Sequence, residues 1–134
     1  MNNQASPTDI LVIDDDIDFL DQQKLQLEAA GYAVRTAESM SQAAEQLDEK
    51  LPDLAICDLM MENLDAGFTL CYQIKKLDPS VPVILCTAVG SETSLDFDAA
   101  TDEERSWVKA DAMLAKPIRF EQLQREIARL LKEA

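Results

Sequence analysis

The stretch Ile10-Leu11-Val12-Ile13-Asp14-Asp15-Asp16 decides how the rest of the chain is read. Four consecutive apolar residues with no alternation describe a strand covered on both faces, and the abrupt acidic run marks its end at a polar loop. The same signature returns downstream. Leu54-Ala55-Ile56-Cys57 runs into Asp58, Val81 to Cys86 runs into Thr87, and Ala112 to Ala115 runs into Lys116. Pro82 falls at a strand entrance, where a missing amide donor is tolerated. A further short strand is expected over Ala33 to Thr36. Helical spacing fills the gaps: Ile17, Leu20, Leu27 and Ala30, stopped by Gly31; then Met40, Ala43, Ala44 and Leu47, opened by Ser39; then Leu70, Ile74 and Leu77; and finally Phe120, Leu123, Ile127 and Leu130. Strands alternating with helices predict an α/β fold, with a five-stranded parallel sheet and helices on both faces, because right-handed crossovers cover a parallel sheet from both sides.

Composition narrows the chemistry. The chain has 134 residues, 26 acidic and 12 basic, no histidine and a net charge of −14. One small acidic domain is expected, with 1–9 as an N-terminal tail and 10–134 as the folded unit. The charge repels phosphate backbones and anionic headgroups, and the basic residues are scattered, so direct nucleic-acid binding is not expected. Without histidine there is no imidazole base, nucleophile partner or metal ligand. Cys57, Cys71 and Cys86 lack CxxC spacing and sit among apolar neighbours, which suits buried thiols in a reducing compartment. No export signal and no long apolar run is present, so a cytoplasmic location without membrane association is expected.

The polar residues that end the strands all fall at carboxyl ends, where open parallel sheets bind their ligands. In the strand order 2-1-3-4-5 the crevice lies between strands one and three, where Asp14, Asp15 and Asp58 would converge. Three packed carboxylates repel unless one is protonated or a cation neutralises them. An all-oxygen site of this kind suits Mg²⁺, or Mn²⁺, better than zinc. Asp16 is expected to cap the first helix.

Taken together, Ile10 to Asp16, Asp58 after its apolar run, Thr87-Ala88 and Lys116-Pro117-Ile118 closely resemble a bacterial response-regulator receiver domain. The resemblance runs from Ile10 to Leu131. It implies the flavodoxin-like receiver fold, with Asp58 as phosphoacceptor, Asp14 and Asp15 as the metal-binding acidic pair, and Thr87 and Lys116 as contacts to the phosphoryl group. Mg²⁺ would be held by Asp15, Asp58 and the backbone carbonyl of Met60, with Asp14 acting through water. The implied donor is a sensor histidine kinase or histidine phosphotransfer protein, and the implied output is binding of a protein target. No enzymatic activity beyond self-phosphorylation and slow autodephosphorylation is expected, nor an output domain after the last helix. A cis bond is expected between Lys116 and Pro117.

The chain departs from the family pattern in several places. Met61-Glu62 and Asp65-Ala66-Gly67-Phe68 replace the usual proline and Asp-Gly, and Met113 stands where an aromatic switch residue is usual. The polar stretch from Ala88 to Ala110 is longer than typical, with a candidate capping box at Thr101 and Glu104 ahead of Trp107 and Val108; it is expected to carry activation. Two other readings remain. One is a pseudo-receiver that only binds partners. The other is a phosphohydrolase of the haloacid dehalogenase kind, with Asp14 as nucleophile and Asp16 as general acid.

Overall fold

A computed structural model of the chain describes residues 7–58, 66–88 and 111–131, excepting the side chains of 66–68 and 88. The apolar runs form strands β1 (Asp9–Ile13), β2 (Ala33–Ala37), β3 (Leu54–Asp58), β4 (Val83–Ala88) and β5 (Ala112–Lys116). Among the described residues the helices are α1 (Ile17–Ala29), α2 (Met40–Glu49), α3 (Ala66–Leu77) and α4 (Phe120–Leu131). All neighbouring strands are parallel, in the order β2-β1-β3-β4-β5. This is the fold and strand order that the sequence implies. β1 begins at Asp9, one residue before its apolar run, because Asp9 already pairs with Ala33.

The continuous apolar runs divide by alternation between two cores. Leu11, Ile13, Ala55, Cys57, Val83 and Leu85 face α2 and α3 with Leu47, Leu70 and Ile74. Ile10, Val12, Leu54, Ile56, Ile84 and Cys86 face α1 and α4 with Leu20, Leu27, Leu123 and Ile127. A strand buried on both faces needs apolar residues at every position, which is why no period of two shows in the sequence.

The helices correct the expected inner faces at four positions. Ile17 and Leu77 are exposed by 53% and 60%, and Ala30 and Ala44 also face outward. On α1 the buried positions are Leu20, Gln23 and Leu27. The polar Gln23 therefore occupies a core position that its residue type does not advertise. Gly31 ends α1 with φ of +103°, a conformation open to glycine and costly for other residues. The three cysteines are free and buried, as expected. No helix among the described residues is long and apolar enough to cross a membrane.

Register fixes where the strand ends meet. Ile13 pairs with Cys57, Asp58 with Cys86, and Ala88 with Lys116. Asp14, Asp58, Thr87 and Lys116 thus stand along one edge of the sheet. The proposed capping box, Trp107, residues 89–110 and residues 59–65, with Met60, lie outside the described residues.

Candidate functional site

Asp14 follows β1 directly, and its backbone N–H donates to the Ala37 carbonyl at 3.1 Å, which anchors the end of the strand. Its carboxylate is almost fully buried and accepts two hydrogen bonds. Oδ1 takes the Asp16 N–H at 2.9 Å, and Oδ2 takes the Lys116 ammonium at 2.8 Å. Asp58, the last residue of β3, is buried beside it, whereas Asp15 is exposed. Oxygens of Asp14, Asp15 and Asp58 all lie within 4.8 Å of one another. The convergence expected from the strand ends is therefore present.

Asp16 has a different job. Its Oδ1 accepts the N–H groups of Asp18 at 3.1 Å and Phe19 at 3.3 Å, making it the N-cap of α1. A carboxylate so used is poorly placed as a general acid, and Asp14, with both oxygens engaged, is poorly placed as a nucleophile.

Lys116 ends β5, and its bond to Pro117 is cis, as expected. Its ammonium lies 2.8 Å from Asp14 Oδ2 and 3.8 Å from Asp58 Oδ1. Partial burial pulls the lysine's pKa down, but the hydrogen bond and charge of Asp14, with the charge of Asp58, outweigh that and raise it above the ordinary value. The ammonium is firmly charged. Beneath it lies the ring of Phe19, 4.4 Å from nitrogen to centroid, a contact that the sequence reading did not anticipate.

Thr87 stands one residue beyond Cys86, the partner of Asp58 in register. Its Oγ1 is buried and has no hydrogen-bond partner among the described residues. A buried hydroxyl left unpaired is costly, so this one is available to donate to an acceptor placed at the strand ends. Under the site, burial pushes the Cys86 thiol up to about 12, so it is no nucleophile at neutral pH. Met113 packs, partly buried, against the core on the α2 and α3 side.

This donor set fits a hard divalent cation. It offers only oxygen, with two buried carboxylates, one exposed carboxylate and a single ammonium as internal counter-charge. By contrast, a groove of about 490 Å³ bordered by Thr8, Pro52, Asp53, Asp78 and Ser80 lies at the opposite, amino end of the sheet and shares none of these residues.

Comparison with known proteins decides the family. Residues 10–128 match the model of the response regulator receiver domain. The chain belongs to this family. The receiver is 36% identical over 126 residues to the transcriptional regulatory protein ZraR of Escherichia coli K12, covering 92% of this chain and 26% of that protein. It thus spans about a quarter of the length of that relative. Over 92% of its length it is also 32% identical to the probable transcriptional regulator ycf27 of Guillardia theta, covering 45% of that protein. Among solved structures, a response regulator from Chloroflexus aurantiacus superposes with a TM-score of 0.77 at 29% identity, covering 96% of this chain and all of that one. TrrA of Thermotoga maritima, solved in complex with Mg²⁺-BeF, superposes with a TM-score of 0.70 at 25% identity, covering 92% and 98%.

Proposed function

We propose that this receiver domain takes a phosphoryl group on Asp58, with Mg²⁺ held by the carboxylates of Asp15 and Asp58 and by Asp14 through water. The observation that carries the assignment is the meeting of three carboxylates within 4.8 Å of one another with an ammonium bridging two of them. Asp58 lies 3.8 Å from that ammonium, and its strand neighbour β4 carries Thr87 one residue beyond Cys86, the register partner of Asp58, so a cation and a hydroxyl donor stand at the same end of the sheet as the group it would bear. The structure of TrrA with Mg²⁺-BeF supports the same chemistry by similarity. The Met60 carbonyl is kept as a further metal ligand on the family resemblance alone.

In the transfer, an Asp58 carboxylate oxygen forms a bond to phosphorus as the bond from phosphorus to the donor's nitrogen or oxygen breaks. The product is an acyl phosphate on Asp58 and a free donor. Charge gathers on the equatorial oxygens in the transition state, so catalysis consists of positioning and cationic stabilisation. Lys116 supplies a point charge to one oxygen, and the Thr87 hydroxyl donates to another. A divalent metal held by these carboxylates would supply positive charge that offsets theirs and that of the incoming phosphoryl group. The chain has no histidine to act as a general base on water, which favours a longer-lived acyl phosphate.

The donor we assign is a sensor histidine kinase or histidine phosphotransfer protein, and the output is binding of a protein target from a cytoplasmic location. Direct contact of this domain with nucleic acid is disfavoured by its charge of −14. No turnover of other substrates is assigned to it.

The test is intact-mass analysis with acetyl phosphate. Wild type is expected to gain one phosphoryl group only with Mg²⁺, and Asp58→Asn none. Labelling that survives Asp58→Asn and is lost in Asp14→Asn would overturn the assignment in favour of a hydrolase. A pull-down with and without beryllofluoride then identifies the target.

A further inference from the structure

Among the described residues the Lys116 ammonium meets two carboxylates and one ring, and the carboxylates are those that the proposed function gives to the metal and the phosphoryl group. Asp14 Oδ2 is at 2.8 Å and Asp58 Oδ1 at 3.8 Å. A divalent cation drawn to those oxygens takes up their charge and repels the ammonium. The third neighbour is the face of Phe19, with Nζ 4.4 Å from the ring centroid, well inside the roughly 6 Å reach of a cation–π contact. The negative face of the ring is the same whether or not the carboxylates are neutralised.

The ring is also held in place. Its backbone N–H is tied to the N-cap carboxylate of Asp16 at 3.3 Å, and its side chain packs partly buried against the core shared by α1, α4 and the sheet. The same helix start that follows Asp14 and Asp15 therefore fixes the support of the lysine. Lysine reaches its target on four rotatable bonds, so a surface that fixes the ammonium removes freedom that would otherwise be lost at the moment of transfer.

We propose that Phe19 is a positioning residue for phosphoryl transfer, its ring face holding the Lys116 ammonium beside Asp58 once a cation has taken up the charge of Asp14. This rests on the assignment of Asp58 and Lys116 above. Phe19 touches no reacting atom and acts through the lysine.

The experiment measures beryllofluoride affinity in saturating Mg²⁺, by fluorine NMR, for Phe19→Leu and Phe19→Tyr in wild-type and Lys116→Met backgrounds. Phe19→Leu is expected to weaken binding about five- to tenfold, the size of one partly desolvated cation–π contact, while Phe19→Tyr keeps it. In the Lys116→Met background Phe19→Leu should change nothing further. Pentafluorophenylalanine at position 19 keeps the ring's shape and reverses its quadrupole, so it should behave like leucine even if leucine disturbs folding. An equal loss from Phe19→Leu in both backgrounds, or full affinity with the fluorinated ring, overturns the role of Phe19 alone. If Lys116→Met by itself leaves affinity unchanged, the assignment of Lys116 fails and takes this proposal with it.

Discussion

Lys116 donates to Asp14 Oδ2 at 2.8 Å across 102 residues of sequence, and so joins the last strand of the sheet to the end of the first. Asp14 is 1% exposed. A carboxylate so deeply buried has no recourse to water if the ammonium is removed. Lys116→Met should therefore cost about 3 kcal/mol in urea unfolding with chelator present, at the low end of the range for breaking a buried pair on one side because the lysine is partly exposed. Mg²⁺ should recover more stability in the variant than in wild type, since it replaces the missing counter-charge. Equal gains in both proteins would show that the metal and the lysine do not share Asp14.

A second ion pair sits at the opposite end of the strands. Arg35 on β2 forks onto Asp9, with Nε to Oδ1 at 3.2 Å and an Nη to Oδ2 at 2.8 Å. The same guanidinium donates to the carbonyls of Gln46 and Lys50, which closes the end of α2. Asp9 is buried, so Arg35→Met should cost about 3 kcal/mol, and the exposed Lys50, 4.0 Å away, offers little replacement. Arg35→Lys should not restore the loss, because an ammonium cannot span a carboxylate and two carbonyls together. Calorimetric unfolding of the two variants measures it.

How much of this could be read beforehand depends on the range of each interaction. The strands and their order were legible because each doubly buried run is apolar throughout and ends in a polar residue. Asp14, Asp58 and Lys116 could be placed together for the same reason, as each directly follows such a run. Helix faces were read less well. Ile17 and Leu77 are apolar yet exposed, whereas Gln23 is polar yet buried, because which side of a helix faces inward is set by its approach to the sheet and only partly by its own residues. The Arg35–Asp9 pair needs the register of β1 on β2, and the Lys116–Phe19 contact needs the lysine of the edge strand β5 to reach across the strand ends to the start of α1. Neither can be counted off along the chain.

Gln23 provides a test of that buried face. It is 3% exposed, and its Oε1 has no hydrogen-bond partner among the described residues. An unmatched carbonyl in an apolar interior costs free energy that an apolar isostere does not. Gln23→Leu is expected to raise stability by about 1 kcal/mol, visible as a higher urea midpoint with an unchanged slope. A loss of similar size would mean that the amide makes contacts that leucine cannot supply.

Alkaline pH should expose the strain of the buried thiols and of the lysine together. Burial is the main force holding Cys86 protonated, and it moves the thiol from 9.0 up to about 12; burial likewise pushes Cys57 up. In the unfolded chain those thiols ionise near their ordinary value, so above pH 9 the unfolded state loses protons that the folded state keeps. Stability is then fully present below pH 9 and falls as pH rises toward 12. Lys116 adds to the same trend, because its raised pKa gives a contribution present below the ordinary lysine value of 10.5 and lost as pH climbs through the folded one. Urea midpoints measured from pH 7 upward should therefore be level at first and then decline steadily. Cys86→Ala should start lower, from the space left in the core, and decline less steeply. Parallel declines in wild type and variant would show that the Cys86 thiol does not shape the alkaline limb.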